Sequence, residues 1–377
     1  MSVSIIVAGD FCPRFRTANL FDQELYEEVL HEVVPIVANS DYSIVNFECA
    51  IANGTEAKPI KKCGPAISCS EKGLKALQYA GFKCLTLANN HFGDYGDMGS
   101  IHTLKEIRKN GFDYVGGGEN LSEAQKILYK RIGPLSFAII NVCEHEFTIA
   151  SKEHPGSAPL DVPVVVTTIL EAKRNADKVI VIVHGGNEFY QLPTPRMKKT
   201  YRCFVECGAD VVLNHHQHCF SGYEIYQGKP IFYGLGNFCF DHPTFKGLWN
   251  EGYMVKLLFG ESVSFEIIPY SQCTEKATIK IYDNEQKKRV LDRVGELNEI
   301  IMNDDRLEEA YKGFYPSCFP GMRMSITPYT SRIPYSLCLR HLLPSFITEE
   351  RARLIYAYVN CESHRDIFLE YLKLKSR

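Results

Sequence analysis

The sequence predicts an α/β protein in which two sheets share one core and helices cover their outer faces. Three observations carry this expectation. Short apolar runs alternate with helical segments through the first half, hairpin-forming runs follow Leu213, and from about Ser271 the periodicity turns helical.

The strand-like runs are Ser4–Ala8, Tyr42–Phe47, Phe82–Leu87, Ser136–Val142, Val179–Val183 and Asp210–Leu213. Between them, one helix is expected from Ser100 to before Gly111. A second carries RMKKTYRCFVEC, with Thr194 as cap, Pro195 in the first turn and Gly208 as stop. After Leu213, YEIYQGKPIFYGLGNF is expected to turn at Gln227-Gly228, and EGYMVKLLF and VSFEIIPY to pair antiparallel across Gly260. In the last part, Val290, Leu291, Val294, Leu297, Ile300 and Ile301 fall on one helical stripe. ERARLIYAYV and HRDIFLEYLKLK add two more helices, the last with a capping box expected at Ser363 and Asp366. Residues 1–270 are therefore read as the main domain and 271–377 as a mostly helical extension packed on it.

Composition narrows the function. With 377 residues, 45% hydrophobic and 23% charged, the chain has enough material for one large core. A net charge of −3 without a long Lys/Arg run gives no electrostatic footprint for nucleic acid. The opening MSVSIIVAGDF is too short for a signal peptide or a membrane span, and no later apolar run reaches bilayer length. A cytoplasmic protein is expected. The fourteen cysteines are scattered without a C-x-x-C pair, which argues against a disulfide framework or a structural zinc site.

The chemistry lies at the strand ends. IIVAGD closes on Asp10, SIVNFE on Glu48, LTLANNH on Asn90 and His91, VIVIVHGGNE on His184 and Glu188, and DVVLNHHQH on His215, His216 and His218. The carboxyl ends of parallel strands line a common crevice, so these groups can converge. Carboxylates, an amide oxygen and imidazoles suit Mn, Fe, Zn or Mg, and a shared Glu48 could bridge two such ions. His216 and His218, at alternate positions, would point the same way from an extended chain. The bland readings differ by residue. A lone histidine such as His215 is commonly a satisfied core group, a strand-end carboxylate can cap a helix, and Cys12 is more often a small buried hydrophobe than a ligand.

The motifs GD at Gly9–Asp10, NFE at Asn46–Glu48, ANNHFGDYG at Ala88–Gly96, GGGENLSEA at Gly116–Ala124, HGGNEF at His184–Phe189, GADVVLNHHQH at Gly208–His218 and GLGNFCFD at Gly234–Asp241 run in order through residues 4 to 241. Together they resemble the CapA family of poly-γ-glutamate or capsule biosynthesis proteins, a branch of the calcineurin-like metallophosphoesterases. The resemblance implies a four-layer α-β-β-α sandwich with two divalent metal ions at the strand ends. In it, Asp10 and His218 would bind the first ion, Glu48 would bridge, and Asn90, His184 and His216 would bind the second. His91 would assist the leaving group while a metal-bridging hydroxide attacks a phosphoester, and Asp94 is expected to orient His91. Glu188, His215 and Asn237 are candidates for contacting substrate or for supporting the ligands from behind.

Two positions depart from the superfamily pattern. Cys12 stands where Asp-x-His has its histidine, making it a further candidate ligand, and Glu48 stands where aspartate is usual. Two other readings keep the resemblance. One is a γ-glutamyl or amide hydrolase or transferase using the same ions; the other is a non-enzymatic factor in polymer assembly.

Overall fold

The first strand, β1 (Val3–Phe11), is apolar on both faces, which suits only a strand enclosed between two layers. In the computed structural model, which describes residues 2–318 and 348–375, that is where it lies. Val3, Ile5 and Val7 enter the core between two sheets, and Ile6 and Ala8 enter the core beneath the helices, as the two-residue period of a strand requires. Fully burying each of the Val and Ile side chains stabilises the fold by about 1.5–3 kcal/mol.

From β1 the chain passes through α1 (Phe15–Asp22) to β2 (Tyr42–Phe47), and through α2 (Lys72–Ala80) to β3 (Cys84–Thr86). It continues through α3 (Gly96–Lys109) to β4 (Asp113–Val115). These four strands are parallel neighbours. The second sheet opens with β5 (Leu128–Ile132) and β6 (Leu135–Cys143), an antiparallel pair. It then adds α4 (Val162–Asn175), β7 (Lys178–His184), α5 (Pro195–Glu206), β8 (Val211–His215), β9 (Tyr223–Tyr226) and β10 (Lys229–Phe232). Its order is β9-β10-β8-β7-β6-β5. The chain finally returns to the first sheet with β11 (Asn237–Cys239), β12 (Glu251–Phe259), β13 (Val263–Gln272) and β14 (Ile279–Ile281), giving the order β14-β13-β12-β1-β2-β3-β4 with β11 beside β1.

Helices α1, α2 and α3 bury Phe21, Leu77 and Leu104 against the first sheet, and α4 and α5 bury Ile169 and Phe204 in the core of the second. The four-layer α/β sandwich expected from the sequence is thus the architecture observed. Gly9 permits the closest approach within it: a Cβ there would lie 1.9 Å from the carbonyl oxygen of Gly236, just before β11.

Several expectations about local structure need correction. The strands after Leu213 are not all antiparallel, because β10 pairs parallel with β8 and β11 parallel with β1. The expected hairpin at Gln227-Gly228 does form, both residues having positive φ. Helix α3 starts at Gly96 rather than Ser100. Strands β13 and β14 carry the first sheet to Ile281, past the change of texture at residue 271.

The helical stripe that follows lies on α6 (Asn284–Met302). It buries Val290, Val294, Leu297 and Ile301 but leaves Leu291 at the surface. Helix α7 (Asp304–Phe314) follows, and α8 (Glu349–Asn360) and α9 (Glu362–Lys375) form the last pair described. Part of the helical extension expected over 271–377 lies outside the described residues. The expected capping box at Ser363 is not formed, since α9 already begins at Glu362. The Ser363 hydroxyl instead donates to Glu144 at 2.6 Å, and Asp366 accepts from Arg196 Nε at 2.6 Å. Arg196 also pairs with Glu144, and Asn360 Nδ2 donates to the His145 carbonyl at 2.9 Å. These partly buried charges dock α9 onto the loop after β6 and the first turn of α5. Among the described residues no helix is long and apolar enough to cross a membrane.

A candidate metal centre at the strand ends

Asp10 ends the apolar part of β1, Glu48 follows β2, Asn90 and His91 follow β3, His184 ends β7 and His215 ends β8. All five strands are parallel to their neighbours at this end, so their carboxyl termini open on the same crevice. His184 and His215 are directly paired across β7 and β8.

The donor atoms form two groups that share one residue. Single ligand atoms of Asp10, Glu48 and His218 lie within 4.8 Å of one another, and so do those of Glu48, His184 and His216. His184 Nε2 is 3.1 Å from His216 Nδ1 and 3.1 Å from the side-chain oxygen of Asn90. It is also 3.6 Å from a Glu48 oxygen. Several lone-pair donors thus face a common point. Both oxygens of Glu48 are buried without a hydrogen-bond partner, as are both ring nitrogens of His215. Leaving such groups unsatisfied costs about 1–3 kcal/mol each, more when charged. A divalent cation fits this donor set, because it can take carboxylate, amide and imidazole lone pairs together.

The ionisation states of the donors are mixed. Burial, then the neighbouring Asp10, pushes the Glu48 carboxyl well above the usual carboxylate range. Burial also opposes charge on Asp10, but His215 and His218 outweigh it and hold Asp10 well below that range. Burial, followed by the proximity of His216, keeps His184 neutral. Burial opposes charge on His218 too, but Glu48 and Asp10 outweigh it and raise its pKa to about 10. Asp10 and His184 are thus already in ligating forms, ionised carboxylate and neutral imidazole, whereas Glu48 and His218 would each give up a proton to an incoming cation.

His216 and His218 reach the site by a different route from the one expected. Strand β8 ends at His215, and both later histidines have left-handed backbones, with φ of 91° and 53°. Such φ values are uncommon for residues with a Cβ and concentrate at functional sites. A tight turn rather than strand alternation brings the two rings to a centroid distance of 6.0 Å. Asn237 supports the turn: its oxygen lies 2.9 Å from His218 Nδ1, and its amide donates to the carbonyls of His218 and Trp249.

His91 stands on the wall of the site. Its Nδ1 is 2.7 Å from Asp94 Oδ2, and Asp94 Oδ1 is 2.5 Å from the ammonium of the buried Lys62. Burial, reinforced by Lys62 and opposed by Asp94, lowers the His91 pKa. Of the remaining candidates, Glu188 is exposed on the cavity rim, and His215 Nδ1 approaches Asp10 at 3.4 Å. Cys12 is buried in the apolar core beside Cys49, outside the converging donor groups.

Five residues here were not anticipated. Asn46 donates to Asp10 at 2.8 Å, and Asn89 donates to the Asn46 oxygen at 3.3 Å, forming an amide scaffold behind the site. Both lie inside motifs already quoted, NFE and NNH. Glu146 follows β6, so the same strand-end signal marks it. Its Oε1 is 3.8 Å from His216 Nε2. Asn187, whose buried amide nitrogen has no partner, lies in the loop after β7. Lys62 comes from an irregular segment with no periodic signal.

Lys62, His91, Glu146 and Asn187 line a cavity of about 500 Å³, roofed by Phe314, Leu354, Tyr358 and His364 from the helical tail.

Comparison with known proteins adds independent findings. The sequence pattern of the bacterial capsule synthesis protein PGA_cap family matches residues 4–242. The chain is 34% identical over 247 residues to the capsule biosynthesis protein CapA of Bacillus anthracis, covering 63% of this chain and 60% of that protein. It is also 34% identical over 244 residues to the PGA biosynthesis protein CapA of Bacillus subtilis (strain 168), covering 63% of each. The chain thus spans about 60% of the length of these curated relatives. Among solved structures, a phosphatase from Mycoplasma pneumoniae superposes with a TM-score of 0.46 at 16% identity, covering 77% of this chain and 97% of that one.

Proposed function

The chain belongs to the bacterial capsule synthesis protein PGA_cap family, and from that premise we propose that it is a metal-dependent hydrolase of the metallophosphoesterase type, acting on a phosphoester in a small-molecule or polymer-precursor substrate. The observation that carries the proposal is Glu48, a buried carboxylate with no hydrogen-bond partner, common to both donor groups. Asp10, Glu48 and His218 would hold one divalent ion; Glu48, Asn90, His184 and His216 would hold a second, each being Mn, Fe, Zn or Mg. Bound there, such ions supply Lewis acidity toward a phosphoryl oxygen and a water nucleophile at neutral pH.

The chain's own residues do the rest. Asp94 accepts a hydrogen bond from His91 Nδ1–H, which leaves Nε2 to take up a proton from solvent and deliver it to the leaving oxygen. Lys62 balances the Asp94 charge and keeps that carboxylate in place. Asn187 offers its unpaired amide to the substrate, and the tail residues over the cavity restrict access of bulk water. In this reading the two-sheet domain, through Ile281, carries the reaction and the described helices α6 to α9 shape access to it.

The test is to load the full chain with Mn and assay phosphomonoesters, phosphodiesters and γ-glutamyl amides side by side. Phosphate release that is lost in His91→Ala is the expected result. Amine release without phosphate would transfer the site to γ-glutamyl chemistry. Bound metal with no turnover of any substrate would instead favour a role in polymer assembly.

A further inference from the structure

A separate set of donors converges where the helical tail meets the main domain. Glu146 comes from the loop after β6, Cys361 from the junction of α8 and α9, and His364 from the first turn of α9. One ligand atom of each lies within 4.8 Å of the other two. Cys361 is 1% exposed, with its Sγ 3.8 Å from Glu144 Oε2, and the Nδ1 of His364 is buried without a hydrogen-bond partner. The spacing Cys-x-x-His places thiol and imidazole three residues apart at a helix start, so they share a face.

We propose that Glu146, Cys361 and His364 form an additional zinc site that fastens the helical tail over the cavity. The donor types select the metal. A thiolate with an imidazole and a carboxylate suits zinc, whereas Mg and Ca prefer all-oxygen sets. On binding, the Cys361 thiol releases its proton to solvent and the sulfur takes up the metal bond. Three protein ligands leave a fourth position. Glu146 and His364 both line the 500 Å³ cavity, so that position is available to an anionic group of the substrate. Because Glu146 approaches His216 at 3.8 Å, a group held here lies beside the candidate dinuclear centre.

Cobalt(II) titration of the full chain tests this directly, because only a thiolate ligand gives an intense sulfur-to-cobalt charge-transfer band. The candidate dinuclear centre contributes no thiolate from Asp10, Glu48, Asn90, His184, His216 or His218. A band is expected that saturates once cobalt has filled the available sites and is displaced by zinc. It should disappear in Cys361→Ser and in His364→Gln, with circular dichroism showing that each variant is folded. It should survive in Cys12→Ala and in the His216→Ala, His218→Ala double variant. No band in the parent chain, or a band unchanged by Cys361→Ser, would overturn the proposal. The spectrum requires no substrate turnover, so its outcome is distinguishable from failure of the hydrolase reading.

Discussion

The Nδ1 of His91 lies 2.7 Å from Asp94 Oδ2, and both side chains are buried. In the proposed mechanism this carboxylate holds Nδ1 as the protonated nitrogen and turns Nε2 toward the leaving group, although the Lys62 ammonium also lies 3.2 Å from Nδ1. Asp94→Asn is therefore expected to lower kcat by about 10²-fold or more while KM changes little. His91→Ala should lose a similar amount, and the double variant little more, because the pair acts as a unit. Steady-state kinetics on the metal-loaded chain checks this.

Lys62 and Asp94 form a buried pair with side-chain exposures of 3% and 0%. Lys62→Met strands the carboxylate and should cost about 3–5 kcal/mol of stability. Adding Asp94→Asn should recover part of that loss. Urea denaturation of the single and double variants measures the coupling.

Removing divalent metal should expose the uncompensated donors around Glu48. The metal-loaded chain is expected to gain about 2.7 kcal/mol of apparent stability for each ion bound at metal concentrations 100 times Kd. A His216→Ala, His218→Ala double variant should lose most of that gain. Elemental analysis together with thermal unfolding, with and without a chelator, gives the answer.

At the start of β8, Asp210 accepts a hydrogen bond from the Val179 amide at 2.9 Å and pairs with Lys229 at 2.6 Å. Burial opposes its charge, yet Lys229 and the Val179 amide outweigh burial and lower its pKa. A carboxylate depressed in the native state contributes stability above its unfolded value of about 3.9, and loses it as pH falls through the lower native value. Asp210→Asn should cost about 1–3 kcal/mol at neutral pH and flatten the acid limb of the stability profile. Thermal unfolding from pH 7 to acid tests both effects.

The distribution of what could be read from the chain follows from the range of the forces involved. Strands β1, β2, β7 and β8 were legible because a buried parallel strand must be apolar along its length, and the polar residues that end such runs named Asp10, Glu48, His184 and His215. The cap at Thr194 was legible for the same local reason, and its hydroxyl accepts from the Met197 amide at 3.1 Å. Ser363, by contrast, has the same capping chemistry but is used by Glu144, more than two hundred residues away.

By itself, the sequence determined the two-sheet α/β class and most of the residues that meet at the strand ends, because periodicity and strand-end chemistry are properties of neighbouring residues. Tertiary structure alone decided the left-handed turn through His216 and His218, the arrival of Lys62 at Asp94 and the meeting of Glu146 with Cys361 and His364. Those arrangements exist only once distant segments are packed together. Burial then removes water as the alternative partner, so each polar group must be satisfied by whichever residue the fold brings beside it.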